Sequence, residues 1–369
     1  MNQPIRIVFR YPDAKRMFLS SSERDAGGAP VQIYTLATEL AKEPDLAVYV
    51  WVDDLRKEKH VGGITLLPGR VPLTGRFPFI KRVLNKLRMM RVSKFAAEGI
   101  VIFTVSIDAG TAGLMKQLLA RGAQVVYRFA SDYAITSARD KLDGSEEFSA
   151  VLPCLDALVT QTNTQRKLLQ ESMGFDSVVI PSAFPVKQRA APAHRDRQYD
   201  VFWVGQCRWY KRPWIAFDMA RQFPDARFLI VMPEFEKATA RALKSQLSSL
   251  PNIKLLDYVP PNEIQSYYDQ SRIVLNTSMF EGYPNTLNSA GQAQAAYLST
   301  TWESDEIFSE GGLGLCAKGD INLCYEQLEY LLAHPDVVEQ MGRRSYEHLQ
   351  TAHSVGKVVQ EYKNLIRSM

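Results

Sequence analysis

The amino-acid sequence predicts an α/β protein of two Rossmann-like domains with a cleft between them, and three observations lead to this prediction. Short apolar runs typical of buried parallel strands alternate with stretches of helical periodicity. The alternation stops once, in a stretch without periodicity, and then restarts. The chain has 369 residues, too many for one typical domain and enough for two. Such alternation implies parallel sheets with right-handed crossovers, which bind ligands beyond the carboxyl ends of their strands.

The first series of elements opens with the apolar run IRIVFR at 5–10. A stretch of helical spacing follows at 30–42, and its Pro30 suits the first helical position. The later strands are expected at 47–52, 100–105, 124–129, 157–162 and 177–182, and the helices near 110–121 and 163–173. We predict that residues 1–185 form the N-terminal domain.

Residues 183–199 are rich in Pro, Ala and charge and show no periodicity, which is typical of a linker. We place the linker at 186–199, a C-terminal domain at 200–350 and, at 351–369, a helix that can cross back to the N-terminal domain. In this second series the strands are expected at 200–205, 227–232, 253–259, 273–278 and 296–302, and the helices near 212–222, 235–248 and 261–270, after Pro284, at 321–333 and at 335–367.

The composition is that of an ordinary soluble globular protein, with 46% hydrophobic and 23% charged residues. No apolar run reaches the roughly 18 residues that a membrane span needs, and the N-terminus lacks the layout of a signal peptide. The 4 cysteines are scattered and form no C-x-x-C pair, which argues against a disulfide framework and a zinc site. We therefore expect a cytoplasmic protein.

The stretch FEGYPNTLNS at 280–289 follows the strand expected at 273–278, so it lies at a carboxyl end. Residues 282–285 bring backbone N–H groups to the start of a helix, which favours an anion such as phosphate. A carboxylate beside an anion is unfavourable unless it accepts hydrogen bonds from a neutral group, and sugar hydroxyls serve. Glu281 and its loop therefore predict a site for a sugar nucleotide; the alternative is a capped loop in which Glu281 bonds its own backbone.

The stretch VGQCRWYKRP at 204–213 places cations directly after the end of another strand. Arg208, Lys211 and Arg212 follow Gly205, before a helix led by proline. Cations at a strand's carboxyl end bind a diphosphate by charge-assisted hydrogen bonds. The alternative is a solvated basic loop.

Together these stretches resemble the C-terminal domain of the retaining GT-B glycosyltransferases of family four. That pattern is a glycine-ended strand with a downstream Lys, and later E-G-[FY]-P-N leading into a helix. The first half is similar more loosely, through AGGAPVQIYTLATELAK and ALVTQTNTQRKLLQESMGFDSVVIPSAF. The resemblance implies a retaining hexosyltransferase that moves a sugar from a nucleotide-sugar, UDP- or GDP-linked, to a glycan or lipid-linked acceptor in bacterial polysaccharide, O-antigen or glycolipid assembly.

The resemblance also implies roles for individual residues, with the acceptor bound by the N-terminal domain and the donor by the C-terminal one. The implied catalytic residues are Asp132, Glu281 and Lys211. The implied donor-binding residues are Gly28, Gly205, Arg208, Lys211, Glu281, Gly282, Tyr283, Pro284, Asn285, Thr286 and Ser289.

Two positions depart from the family's pattern. The family usually has a second Glu eight positions after the first, where it binds the donor's ribose, and this chain has Ser289 there. A hydroxyl is shorter and uncharged, so we expect a weaker grip, which Asn288 or a water can compensate. The family often has Arg after the strand-ending Gly, and this chain has Gln206, so Arg208 takes the diphosphate role instead.

The first half of the chain contains fewer candidate site residues. Asp132, in the loop ASDYA at 130–134, is the acid where relatives often have His or Asp, and it can accept the acceptor's proton. The alternative is that Asp132 caps the next helix. Gly27 and Gly28 let the backbone approach the donor phosphates, or form only a tight turn.

The chain has no D-x-D, the pattern by which another glycosyltransferase class holds a divalent metal. We therefore expect no metal and no cofactor. The charge of the leaving group must then be met by Lys211, Arg208 and helix N-termini.

Residues 70–95 contain eight Lys or Arg, no acid and interleaved apolar residues. This pattern predicts binding to an anionic membrane surface, at the inner face of the cell membrane. The alternative is a helix packed on the sheet with a solvated basic face. Nucleic acid is not expected as a partner, because the pI is about 8.7 and its recognition motifs are missing.

Two other functions stay open. The double-Rossmann architecture also serves sugar-nucleotide epimerases, although no water-excluded acid/base set is evident. The changes at Gln206 and Ser289 also fit a catalytically impaired scaffold that binds a sugar nucleotide.

Overall fold

The computed structural model describes residues 3–19, 28–73, 78–104, 108–142, 145–188, 191–233, 237–247 and 250–369. The chain divides into two compact units. Unit 1 comprises Met1–Pro185 and Val355–Met369, and unit 2 comprises Val186–Ser354. Each unit is built on one sheet, so the predicted α/β class with two parallel-sheet domains is confirmed.

Unit 1 has a sheet that is parallel except at one edge. Its strands are β1 (Ile5–Arg10), β2 (Leu46–Val52), β3 (Lys59–Val61), β4 (Ile64–Pro68), β5 (Ile100–Phe103), β6 (Gln124–Arg128), β7 (Ala157–Thr160) and β8 (Val178–Val179). Its first helices are α1 (Lys15–Leu19), α2 (Gly28–Leu40), α3 (Pro78–Ala96), α4 (Ala109–Leu119), α5 (Asp132–Asp140), α6 (Glu146–Val151) and α7 (Asn163–Met173). The strand order is β3-β4-β2-β1-β5-β6-β7-β8, and within the described ranges only the pair β3–β4 is antiparallel.

Unit 2 has a smaller sheet. Its strands are β9 (Tyr199–Val204), β10 (Phe228–Val231), β11 (Ile253–Leu256), β12 (Ser271–Asn276), β13 (Ala296–Ser299) and β14 (Gly314–Cys316). Its helices are α8 (Pro213–Gln222), α9 (Lys237–Leu247), α10 (Ile264–Asp269), α11 (Asn285–Gln292), α12 (Ile321–Ala333) and α13 (Pro335–Ala352). The order is β11-β10-β9-β12-β13-β14, with parallel pairing throughout the described strands.

Side chains that alternate along the central strands explain why both faces of each sheet are covered. In β1, Phe9 joins one buried apolar cluster and Val8 joins a different one. In β9, Val201 and Phe202 divide in the same way. Because successive side chains point to opposite faces, a continuous apolar run is buried on both sides. Burying each such side chain contributes about 1.5–3 kcal/mol, which makes these runs the centre of each unit.

Most predicted elements are present with shifted ends, and two differ more. The strand predicted at 177–182 pairs only at Val178–Val179, because Pro181 has no N–H to continue the ladder. The helix predicted at 335–367 is two helices, α13 and then α14 (Val355–Ser368). The break lies at His353, whose φ of −118° and ψ of 4° are not helical, just before the chain enters unit 1.

The last helix completes the core of unit 1. Val358 and Tyr362 of α14 are fully buried in the apolar cluster that also contains Ile7 of β1. Lys363 Nζ forms an ion pair with Glu43 Oε2 at 2.5 Å. The helix therefore packs with the unit in which the chain begins, although unit 2 separates the two in sequence.

Sequence analysis missed the hairpin β3–β4. Its two-residue turn is Gly62 and Gly63, with φ of 55° and 81°. Positive φ at both central residues is what a type I′ turn requires, and glycine adopts it without steric cost. Strand β3 carries Lys59 and His60 at exposed positions, so no apolar run marks it.

Candidate functional site

The loops after β9 and β12, neighbouring strands of unit 2, carry the predicted cation and carboxylate. Lys211 follows β9 and Glu281 follows β12. Lys211 Nζ lies 2.5 Å from Glu281 Oε1, so the two side chains form a direct ion pair. The side chains are 25% and 16% exposed, which leaves the pair partly accessible to a ligand.

The two loops are fastened to each other by hydrogen bonds. The Thr277 hydroxyl accepts from Trp203 Nε1 at 2.8 Å and donates to the carbonyl of Lys211 at 2.5 Å. The backbone N–H of Met279 donates to the carbonyl of Tyr210 at 2.8 Å. The spacing of the Lys211–Glu281 pair is therefore set by the backbones of both loops.

Arg212 braces these loops. Its backbone is left-handed, with φ of 47°, which is uncommon for a residue with a side chain. Its Nε donates to the carbonyl of Thr277 at 2.7 Å, and a terminal nitrogen donates to the hydroxyls of Thr300 and Thr301 at 2.6 Å each. Burial lowers the pKa of Arg212 from its ordinary value. Sequence analysis grouped Arg212 with the phosphate-binding cations, but these contacts give it a structural role.

The loop after β9 holds a second partly buried cation. Gly205 directly follows the strand, and the Gln206 side-chain oxygen accepts from Arg208 Nε at 2.9 Å. The Arg208 guanidinium lies 5.9 Å from the Tyr210 ring centroid, and Lys211 Nζ lies 5.7 Å from the same ring. Gln206, which replaces the arginine expected there, thus bonds Arg208, and both Arg208 and Lys211 lie near the Tyr210 ring.

Helix α11 begins directly after the Glu281 loop. Pro284 occupies its N-cap position and makes no side-chain cap hydrogen bond. The first turn, from Asn285, therefore offers N–H groups where the helix dipole is positive. The Thr286 hydroxyl lies 2.8 Å from the Tyr297 hydroxyl, which also accepts from Asn276 Nδ2 at 2.7 Å. The hydroxyl of Thr286 is thus bonded within the core. Only the backbone of Thr286 can contact a nucleotide-sugar.

Tyr283 anchors the loop instead of presenting its ring to solvent. It is 7% exposed, and its ring centroid lies 4.1 Å from that of His353 and 5.7 Å from that of Trp302. Burial raises the pKa of Tyr283 above its ordinary value. The flanking residues Gly282 and Pro284 are buried as well. These contacts fix the path of the chain between Glu281 and α11.

The position that replaces the expected second Glu is already engaged. Ser289 is half-buried, and its hydroxyl is hydrogen-bonded to Tyr268, whose pKa is raised by burial. Next to it, Asn288 is 1% exposed, and neither side-chain amide atom has a hydrogen-bond partner among the described residues. Buried polar groups without partners are uncommon in folded proteins. The middle of α11 therefore holds one unsatisfied amide beside one satisfied hydroxyl.

In unit 1, Asp132 is the first residue of α5. The N-cap is Ser131, whose hydroxyl accepts from the N–H of Tyr133 at 3.0 Å, so Asp132 is not the cap. Instead, Asp132 Oδ1 accepts from Gln165 Nε2 at 2.8 Å. Gly28 is the exposed first residue of α2, whereas Gly27 lies outside the described residues.

Comparison with known proteins supports this assignment of the fold. A family described as "Glycosyl transferase-like" matches residues 212–364. No curated protein sequence matches the chain. The two sheets have the GT-B fold that glycosyltransferase structures share.

Several solved structures match over nearly the whole chain. Sucrose-phosphate synthase from Thermosynechococcus elongatus is 14% identical, with a TM-score of 0.79 over 99% of this chain and 98% of that one. The E. coli trehalose-6-phosphate protein bound with UDP-2-fluoro glucose is 12% identical, with a TM-score of 0.70 over 99% of each chain. The α,α-trehalose-phosphate synthase (UDP-forming) from Burkholderia vietnamiensis is 12% identical, with a TM-score of 0.70 over 99% and 100%. At these identities the likeness establishes the fold.

Sequence analysis missed three buried residues that lead to Asp132. Arg128, Gln161 and Gln165 are 2%, 4% and 1% exposed, and hydrogen bonds connect them. The only signal was a polar run, TQTNTQ, at the carboxyl end of the strand that begins at Ala157. Neutral amides are common in loops, so the run by itself did not mark a site.

Proposed function

We propose that the chain is a metal-independent, retaining glycosyltransferase that transfers a hexose from a nucleotide-sugar to an acceptor hydroxyl. The observation that carries the proposal is the Lys211–Glu281 pair, with a 2.5 Å separation, on strand ends that lead into an uncapped helix N-terminus. A cation, a carboxylate and the N–H groups of a helix N-terminus together match a diphosphate joined to a polyol. The GT-B fold and the family match over 212–364 support the same class.

In the proposed reaction the donor's diphosphate replaces Glu281 as the ion-pair partner of Lys211. Glu281 is then released to accept hydrogen bonds from hydroxyls of the donor sugar. As the bond between the anomeric carbon and the diphosphate breaks, Lys211, Arg208 and the first N–H groups of α11 stabilise the leaving negative charge. A new bond forms to the acceptor oxygen, whose proton passes to Asp132 or to the leaving phosphate.

Solved neighbours favour UDP over GDP in the donor. The E. coli neighbour holds UDP-2-fluoro glucose, and a matching S. aureus structure contains UDP. A trehalose-6-phosphate synthase with a TM-score of 0.67 is described as transferring its glycosyl group with retention. We therefore propose a UDP-sugar as donor and retention of anomeric configuration.

The direct test is a thermal-shift screen with UDP-, GDP-, dTDP-, ADP- and CMP-sugars. Ligand at about a hundred times its dissociation constant stabilises the folded protein by roughly 2.7 kcal/mol, an easily visible shift. We expect a shift with one nucleotide class, followed by transfer to a hydroxyl acceptor in the presence of chelator. Stabilisation by none of these ligands would exclude a working donor site.

A second candidate is the impaired scaffold, favoured by the bond between Ser289 and Tyr268. That hydroxyl is already engaged. Because it is also uncharged, the ribose has no charged partner at this position. A protein that binds a nucleotide-sugar but neither transfers nor hydrolyses the sugar would support this alternative.

We also propose that the protein docks from the cytoplasm on the inner membrane face, where its acceptor is a lipid-linked glycan of polysaccharide, O-antigen or glycolipid assembly. The relevant surface is the α3 apolar face, six side chains that are 45–75% exposed: Phe79, Ile80, Val83, Leu84, Leu87 and Met90. They recur at three- and four-residue spacing, and the helix carries Lys and Arg but no acid. Residues of α3 packed inward, such as Val92 and Ala96, are buried. No helix in the described ranges is long and apolar enough to cross a bilayer.

A basic, apolar helix face matches an anionic lipid surface, because apolar insertion and charge attraction act together. We expect co-sedimentation with vesicles that contain phosphatidylglycerol, reversal by raised salt, and none with pure phosphatidylcholine. The double variant Leu84→Glu, Leu87→Glu should abolish it. Leu142→Glu is the control, because Leu142 is 48% exposed in unit 1 but lies outside α3. Equal binding of both variants would contradict the proposal.

A further inference from the structure

A chain of buried polar side chains runs through unit 1 to Asp132. It starts at Arg128, the last residue of β6, which is 2% exposed. A terminal nitrogen of Arg128 donates to Gln161 Oε1 at 2.9 Å and to the Ser182 hydroxyl at 3.0 Å. In the part of the chain that the structure describes, no carboxylate forms an ion pair with Arg128. A buried guanidinium is costly unless its donors are satisfied; these two neutral acceptors meet part of that need, whereas Arg128 Nε has no hydrogen-bond partner among the described residues.

The next link fixes the orientation of Gln165. The backbone N–H of Gln161 donates to Gln165 Oε1 at 2.8 Å. A backbone N–H can only donate, so the oxygen of the Gln165 amide must face it and the NH₂ group must face the other way. That NH₂ group donates to Asp132 Oδ1 at 2.8 Å. The assignment of the amide therefore follows from the hydrogen-bond chemistry.

Gln161 is fixed in the same manner. Its oxygen receives the Arg128 guanidinium and the Ser182 hydroxyl, at 2.9 and 2.6 Å, and its NH₂ group donates to the carbonyl of Phe129 at 3.0 Å. Both ends of the amide are thus satisfied. Neither an arginine nor a backbone N–H can accept a hydrogen bond. If either amide turned over, its NH₂ group would therefore face one of these buried donors.

We propose that Gln165 is a positioning residue for Asp132, oriented by Gln161 and Arg128; the inference rests on the catalytic role proposed for Asp132. Gln165 always presents an N–H to this carboxylate and so holds one oxygen in place. The carboxylate held in this way takes a hydrogen bond from the hydroxyl of the acceptor. Ser131 makes the cap of α5, so Asp132 does not have to serve the helix backbone as well.

A second buried glutamine of unit 1 bonds the protein backbone through both ends of its amide. Gln32 is 4% exposed, and both ends of its amide bond the backbone of Ala183, at 2.9 and 2.8 Å. It contacts no carboxylate through these bonds. Gln32→Met is therefore a matched control for Gln165→Met, since each change removes one buried amide and keeps the length of the side chain.

The test is a cycle of variants assayed for sugar transfer. Gln165→Met should lower kcat by about ten- to a hundredfold, as expected when a hydrogen bond to a charged group is lost, with the KM for donor unchanged. In an Asp132→Ala protein the same change should cause no further loss, because Gln165 then has nothing to position. Gln32→Met should lower the melting temperature but leave kcat near wild type. An equal loss of kcat in both Asp132 backgrounds would overturn the proposal.

A measurement without substrate separates failure of this inference from failure of the proposed function. In a crystal structure of the Gln165→Met protein, the carboxylate of Asp132 should leave its position or occupy more than one. If wild-type protein binds and turns over no sugar nucleotide, the proposed function fails, and this structure still decides the inference. An unmoved, singly ordered carboxylate would show that Gln165 does not position it.

Discussion

The two units hold their candidate residues by different means. In unit 2, Lys211 and Glu281 form a direct ion pair. Both lie on loops that the residue types alone had indicated as a site. In unit 1, Asp132 is held at the end of neutral amides that are almost fully buried. Charged residues at strand ends can be recognised before the fold is known. Buried amides acquire a role only through the contacts that the fold creates.

The largest expected effect tests the direct pair. Lys211→Ala should lower turnover at least about a hundredfold, because it removes a main charge that faces the leaving diphosphate. Lys244→Ala is the matched control, since Lys244 Nζ also pairs with a carboxylate of unit 2, that of Asp257, at 2.6 Å. Steady-state kinetics of both variants decide the matter. A near-wild-type rate for Lys211→Ala would show that the Lys211–Glu281 pair has no role in turnover.

A smaller, two-directional effect is expected at the partner. Glu281→Gln should weaken binding of a UDP-sugar relative to UDP by about tenfold, because a charged acceptor for sugar hydroxyls is lost. UDP alone should bind up to about fivefold more tightly, since Lys211 no longer pairs with a carboxylate. Isothermal titration calorimetry with UDP and UDP-glucose measures both effects. Equal weakening of both ligands would mean that Glu281 only supports its loop.

A moderate gain is expected at the position that departs from the family pattern. Ser289→Glu should tighten nucleotide-sugar binding about three- to tenfold, because charge-assisted hydrogen bonds are about twice as strong as neutral ones. The new carboxylate can still accept from Tyr268, so no buried hydroxyl loses its partner. Ser289→Gln separates reach from charge in the same calorimetric assay. Unchanged affinity in both variants would place the ribose elsewhere.

The smallest effect sharpens the assignment in unit 1. Ser131→Ala removes the cap of α5 and should reduce protection of the Tyr133 amide from hydrogen exchange about fivefold, equivalent to roughly 1 kcal/mol. Asp132→Ala should change that protection much less, because the Tyr133 N–H donates to the Ser131 hydroxyl. If the Asp132 variant had the greater effect, the carboxylate would be serving the helix rather than a substrate.

Much of the fold follows from local patterns. The run IRIVFR became β1 with both predicted ends, because its apolar residues are buried on both faces. The hairpin β3–β4 was missed because its first strand is exposed and polar, and only the two glycines marked it. The break between α13 and α14 was missed because it depends on where the chain changes units, which helical periodicity does not record.

The candidate site was predictable to a similar degree. The sequence placed Lys211 and Glu281 at strand ends of one sheet. It could not show the bonds from Arg212 to Thr300 and Thr301, since those hydroxyls approach only in the folded sheet. It also could not show that the Tyr283 ring is buried against His353, which lies 70 residues away. Tertiary contacts of this kind decide whether a polar residue faces a ligand or the core.

The composition of unit 1 has a consequence for synthesis on the ribosome. Its core needs Val358 and Tyr362, which emerge only after all of Val186–Ser354 has been made. Domains generally fold as units in the order of synthesis, N-terminal first. Here that order is reversed at the final step: unit 2 has its whole sequence available while unit 1 still exposes the apolar surface that α14 will cover. Until then the apolar residues that pack against Val358 and Tyr362 stay uncovered, and a chain truncated before α14 would leave them so.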